Sequence, residues 1–456
     1  MKTKLIPFFA ALLLNLSLLF GAGATVAPGS IQITDTGPKV VFPESLTFSA
    51  DIQADSPIQS VVLEYGVEQL ACGTVTAKAF PEFQQGKSTS AGWTWEMRQS
   101  GSLPPGAKVW WEWHVTDASG AEVASPRQQL TFLDDVHGWK NINADGINLH
   151  WYEGDNRFGQ GLHDSAVAAL AWLKQQAGLT SDSPVDLYIY GSSSDLRDAI
   201  LYEPSWIGGQ AFPSQNIVII GIAPQDIEWG THAIAHELTH VLVGHFTFSC
   251  LGDVPAWLDE GLASFSEGAL EPASKAHFDE AVHNNSLIPL RALSGSFSEE
   301  FNKADLSYSQ SYSVVNYLID EYGQEKMNRL LAALRDGATI DEALVNVYGF
   351  DVDGLDNAWR AAIGAPSRPI VQSTPTPQPT TVPTFKPISG LLVTPATPTA
   401  FPVASAKVTP PVVPAQNTAP SSNGLPILIA LILGGLCLVL LAIGLVLLFV
   451  RRGREG

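Results

Sequence analysis

The sequence predicts a multidomain chain: an N-terminal all-β sandwich, an α+β domain, a disordered stalk and a single transmembrane helix. Three observations carry that reading. Residues 28–134 run as short strands broken by Pro, Gly, Asp and Ser; residues 137–364 change to mixed helical and strand periodicity; the remainder is first rich in Pro and Thr and then apolar without a charge. At about 100–200 residues per domain, a chain of 456 residues holds two or three domains. The boundaries are set at 25–135 for the sandwich, 136–365 for the α+β domain, 366–424 for the stalk, 425–450 for the span and 451–456 for a cytoplasmic tail. The 45% hydrophobic content supplies a sizeable core, and a net charge of −20, with 25 Lys and Arg against 45 Asp and Glu, argues against a nucleic-acid partner.

The N-terminal segment 1–24 is excluded from the fold. Lys2 and Lys4 precede an apolar run to Phe20, and Ala22-Gly23-Ala24 supplies small residues at a cleavage spacing. This pattern predicts a secretory signal peptide, with a short N-terminal anchor helix as the alternative. At the other end, Leu425–Val450 has 26 uncharged residues followed by Arg451, Arg452 and Arg454. About 20 apolar residues cross a bilayer core, and basic residues favour the cytoplasmic side. The expected topology is a single-pass protein of the cell membrane with its folded part outside. The stalk, typified by Ser373-Thr374-Pro375-Thr376-Pro377, cannot bury a core and favours extended polyproline stretches.

Strands are expected at 46–52, 58–65, 77–80, 93–97, 109–115 and 130–132, a spacing typical of an Ig/fibronectin-like sandwich. In the aromatic run Val109–Val115, alternation puts Val109, Trp111, Trp113 and Val115 on one face, which reads as core. In the second domain, Asp164–Gln176 repeats helically, Val185–Tyr190 and Asn216–Ile220 read as strands, and helices are expected near 229–245, 255–269, 305–322, 324–335 and 339–347. Gly323, Gly337 and Gly349 stand where helix ends are expected. Asp253-Val254-Pro255 has the form of a helix start, with Asp as the cap.

The segment with most chemistry in it is His232-Ala233-Ile234-Ala235-His236-Glu237-Leu238-Thr239-His240. Residues four apart share a helix face, so His236 and His240 can aim imidazole nitrogens at one ion. Glu237, on a neighbouring face, can reach a water on that ion and take its proton, because zinc lowers the pKa of such a water to about 7. Taken alone the pattern also fits a polar helix stripe. A catalytic zinc needs a third protein ligand, and the run Trp257-Leu258-Asp259-Glu260-Gly261-Leu262-Ala263 offers Glu260, 20 positions after His240, enough for a turn and a returning helix.

These two motifs together resemble the gluzincin zinc metallopeptidases, in particular the peptidase MA-like and aminopeptidase-N-like groups with their HExxH…E sites. The resemblance covers about 137–364. It implies a thermolysin-like α+β fold, Zn2+ as cofactor, Glu260 as the third metal ligand beside His236 and His240, and Glu237 as general base. Tyr308, in Tyr308-Ser309-Gln310-Ser311-Tyr312, is similar to the tyrosine that steadies the oxyanion in aminopeptidase-like families; a core tyrosine is the other reading. Asp341-Glu342-Ala343-Leu344 and Trp359-Arg360 are similar to the ends of peptidase MA-like domains.

The chain departs from the aminopeptidase pattern in one respect. It has no Gly-x-Met-Glu-Asn strand, whose glutamate reads a free amine; Ile207–Phe212 lies in the corresponding region without a carboxylate. Internal cleavage fits this better than N-terminal trimming. Val218–Ile220 is a candidate edge strand for an extended peptide. His232 and His245 are expected to serve the helix surface or to support the ligands, and Glu267 either orients a ligand or is solvated. Cys72 and Cys250 either pair or stay as free buried residues; Cys437 falls in the span.

The expected function is therefore an extracytoplasmic, membrane-anchored zinc metallopeptidase acting on a peptide or protein substrate. The alternative is a non-catalytic surface-binding module with a retained zinc scaffold, which would have no need of Glu237. A third reading, hydrolysis of a non-peptide amide, has the same sequence signature.

Overall fold

The computed structural model describes residues 31–368, except 75, 101 and 202–206. The expected signal peptide, the stalk beyond residue 368, the 425–450 span and the tail lie outside the described residues. Among the described residues no helix is long and apolar enough to cross a membrane.

The N-terminal region is β-rich and has two antiparallel sheets. One contains β1 (Gln32–Asp35), β2 (Lys39–Val41), β3 (Ser45–Gln53) and β6 (Ser88–Glu96), with β3 at its centre. The other contains β4 (Ile58–Val67), β5 (Ala77–Ala79), β7 (Lys108–Asp117), β8 (Glu122–Ala124) and β9 (Gln128–Thr131). A single helical turn, α1 (Met97–Ser100), follows β6. The period of two dictates the core: Leu46, Phe48, Ala50 and Ile52 of β3 and Val109, Trp111, Trp113 and Val115 of β7 are all buried in one cluster. Asp35 accepts the indole N–H of Trp111 at 2.5 Å and of Trp113 at 3.2 Å, satisfying both polar tips.

The second region is α-rich around a five-stranded sheet ordered β10-β11-β12-β14-β13. Strands β10 (Lys140–Ala144) and β11 (Ile147–Trp151) form a hairpin about Asp145-Gly146, both with positive φ, as a two-residue turn requires. Strands β12 (Val185–Tyr190) and β14 (Ile217–Gly221) run parallel to β11, and the short β13 (Gly209–Phe212) pairs antiparallel with β14 as the edge. Helix α2 (Asn156–Ala177) is capped by the Asp155 side chain and ended by Gly178 in the left-handed region. Short α3 (Ser193–Ala199) follows β12. The helices α4 (Ile227–Phe246), α5 (Ala256–Glu267), α6 (Pro272–His283), α7 (Phe301–Tyr322), α8 (Gln324–Arg335), α9 (Ile340–Tyr348) and α10 (Val352–Ala362) complete the region.

Three sequence expectations change. Asp253 does not cap α5: the helix opens after Pro255 without a side-chain cap. Strand β14 is interior, because β13 covers its outer side, so the edge lies at 209–212 and not at 218–220. Strands β1, β2, β8 and β13, the β10–β11 hairpin, and helices α3, α6 and α10 are additional elements.

The two regions fall in one compact unit. Tyr190 donates its hydroxyl hydrogen to Asp134 at 3.1 Å, and a disulfide joins Cys72 to Cys250. Beside that disulfide the Leu70 N–H donates to the Ser214 carbonyl at 2.9 Å, and the Gln215 side-chain amide donates to Gln69 at 3.0 Å.

Candidate metal centre

Helices α4 and α5 pack against each other, and α5 packs on α7. Close packing is possible because Gly261 has no side chain: a Cβ there would stand 2.6 Å from the Ser311 carbonyl oxygen of α7. The packing of α4 on α5 brings His236 and His240 opposite Glu260.

The three donor atoms form a nearly equilateral triangle. His236 Nε2 and His240 Nε2 lie 3.2 Å apart, and Glu260 Oε2 lies 3.5 Å from the first and 3.4 Å from the second. Tetrahedral coordination with bonds of about 2.0–2.1 Å separates neighbouring ligands by about 3.3 Å. Glu260 Oε2 is also buried with no hydrogen-bond partner. A buried carboxylate oxygen left in that state is costly unless a cation meets it. The residues present therefore fit a zinc ion.

The far sides of both imidazoles are held by carboxylates. His236 Nδ1 lies 2.6 Å from Glu267 Oε1, and His240 Nδ1 lies 2.9 Å from Asp259 Oδ2. A carboxylate only accepts, so each Nδ1–H donates and each Nε2 faces the triangle. Glu267 thus orients the His236 ring, and Asp259 does the same for His240. The signal for Asp259 in the sequence was only its place next to Glu260.

The electrostatics favour positive charge here. Burial depresses the basicity of His236, but Glu260 and Glu267 outweigh burial and hold its pKa at about 9. Burial likewise opposes protonation of His240, and Asp259 and Glu260 outweigh it. For Glu260, burial raises the pKa, but the two imidazoles bring it down to about 2. Burial pushes the Glu237 pKa up, with His236 and His240 opposing. Burial, with Glu260 and Glu237 adding to it, raises that of Tyr308, which stays protonated and able to donate.

Glu237 sits on the adjoining face of α4 and touches the edge strand: a Cβ at Gly209 would lie 2.8 Å from its Oε1. Tyr308 lines the same cleft, its ring centroid 6.3 Å from that of His236. His232 and His245 stay out of the triangle and donate to backbone carbonyls, His232 to Glu267 at 2.8 Å and His245 to Pro213 at 2.7 Å. The cleft has a volume of about 980 Å³ and is walled by β13, α4, the end of α5 and α7.

Residues 165–365 match the family model of the Peptidase MA superfamily. This stretch is a peptidase MA-like domain. No curated protein matches the chain. Among solved structures it is similar to an aminopeptidase A of Legionella pneumophila in complex with aspartic acid, at 12% identity and a TM-score of 0.32, over 72% of this chain and 50% of that one. It is also similar to an aminopeptidase N family protein of Idiomarina loihiensis, at 10% identity and a TM-score of 0.33, over 71% of this chain and 74% of that one. The chain thus spans about half the length of the Legionella enzyme. The peptidase MA-like domain holds the donor triangle, Glu237 and Tyr308.

Proposed function

We propose that this chain is a zinc-dependent metallopeptidase, exported and held at the membrane by its C-terminal segment, that cleaves peptides internally. The donor triangle carries the reading: three correctly spaced ligand atoms, one of them a buried and otherwise unpartnered carboxylate oxygen, with Glu237 beside them. When bound, zinc supplies Lewis acidity and a water of lowered pKa.

Glu237 is the general base. It takes the proton of the attacking water and returns it to the leaving amine, and its raised proton affinity suits both transfers. Tyr308 donates a hydrogen bond to the developing oxyanion. Asp259 and Glu267 keep the imidazoles in the donor tautomer. The edge strand β13 adds an extended substrate segment by backbone pairing. Ala211 and its neighbours on β13 bring no carboxylate to the cleft, which supports internal cleavage over reading of a free amine.

The test is metal analysis joined to cleavage of a mixed peptide library. The wild type is expected to bind one zinc per chain and to cut the library. Glu237→Gln is expected to keep the zinc and lose turnover by about 10²–10⁴-fold. A wild type without zinc, or a Glu237→Gln variant that cleaves normally, would falsify the mechanism; the latter outcome favours the scaffold alternative.

A further inference from the structure

We infer that the cleft selects peptides carrying lysine or arginine, recognised by the exposed indole of Trp229 together with the carboxylates of Glu228 and Glu271; this rests on the peptidase reading of the same site.

The first ground is the charge of the lining. Among the described residues, no Lys or Arg lines the cleft, whereas Asp226, Glu228, Glu267, Glu271 and Asp305 add their carboxylates to those of the metal centre. The chain as a whole has 25 Lys and Arg for 45 Asp and Glu, so this one-signed lining is not a sample of its bulk composition. Several of these carboxylates are engaged. Glu267 and Asp259 hold the histidines, and Asp305 accepts from Ser274 at 2.6 Å and His277 at 2.7 Å. Asp226, Glu228 and Glu271 are exposed and have no side-chain hydrogen bond or ion pair among the described residues. Their carboxylates are open to a ligand.

The second ground is Trp229, which is independent of the charge count. Its side chain is 48% exposed on the cleft wall, a cost in apolar surface that a covering ligand would relieve. The ring is seated against the entry to β13: a Cβ at Gly208 would stand 2.9 Å from it. An indole face in a cleft lined by carboxylates is complementary to an ammonium or guanidinium group, which stacks on aromatic rings and pairs with acids. Trp229 precedes His236 by two helical turns on the same face of α4, about 10 Å along the axis.

The test uses the full chain loaded with zinc, carrying Glu237→Gln so that bound peptide is not consumed. Three fluorescent decapeptides differ only in having Lys, Ala or Glu at one position, and binding is read by anisotropy. The Lys peptide is expected to bind at least about tenfold tighter than the Glu peptide at about 0.05 M salt, the gap narrowing at about 0.5 M. Trp229→Ala, and separately the pair Glu228→Gln and Glu271→Gln, should each lower the Lys-to-Ala ratio by about threefold to tenfold. That ratio is not moved by a general loss of folded protein. Equal binding of the Lys and Glu peptides, or an unchanged ratio in both variants, overturns the inference. Cleavage by the wild-type chain is read apart from this. Lysine-selective binding without cleavage of any peptide removes the peptidase reading and leaves the selectivity standing; cleavage without selectivity does the reverse.

Discussion

At the scale of single residues, the site is built from side chains whose roles depend on one another. His236 and His240 aim Nε2 at a common point because Glu267 and Asp259 take their Nδ1 protons. Removing either carboxylate frees the ring to turn or to change tautomer. Asp259→Asn and Glu267→Gln should each weaken zinc binding by about 10–100-fold, measured by competition with a chelator. Gly209 has a different task. A methyl group there would meet Glu237 Oε1 at 2.8 Å, so Gly209→Ala should displace the carboxylate and lower kcat by about tenfold or more while zinc content holds. The two histidines, Glu237 and Glu260 were legible in the sequence because their relation is local: four residues on one helix, then a turn and a returning helix. Asp259 was not, because its use depends on how α5 is rotated against α4, and Trp229 was not, because exposure cannot be read from a residue's neighbours in the chain.

At the scale of elements, the long helices and the strand Val185–Tyr190 could be read directly, since strong periodicity survives tertiary packing. The sheet edge could not. The four residues Gly209–Phe212 carry too little pattern to register as a strand, and only the pairing with β14 makes them one. The Asp145-Gly146 hairpin carries a clear turn signal between two short strands. The C-terminal helices are joined by charge as well as by apolar packing. Arg291 pairs bidentately with Asp341 of α9 and also with Asp353 of α10. The Arg291 hydrogen bonds hold the Asp341 pKa below its ordinary value. A depressed carboxyl pKa stabilises the fold above the ordinary value, and this contribution is lost as pH falls through the depressed one. These groups are roughly half exposed, so Arg291→Ala should cost only about 0.5–1 kcal/mol near neutrality. Thermal melts at falling pH should show the wild type converging on the variant below about pH 4.

At the scale of the whole molecule, the Cys72–Cys250 disulfide joins the β-rich region to the peptidase MA-like domain across a separation of 178 residues. Sequence alone left this pairing open, since two cysteines so far apart show nothing of their proximity. Cys72→Ser with Cys250→Ser should lower stability by about 2–5 kcal/mol, seen as a lower Tm that reductant no longer shifts. The position of the link matters as much as its strength. The segment Gln69–Cys72 grips the turn after β13, through Ser214 and Gln215, and the loop after α4, through Cys250. Both flank the end of α4, where His245 donates to the Pro213 carbonyl. The cleft is therefore pinned at its Pro213 end, away from Gly208 and Trp229, with Glu237, His236 and His240 all on the helix side.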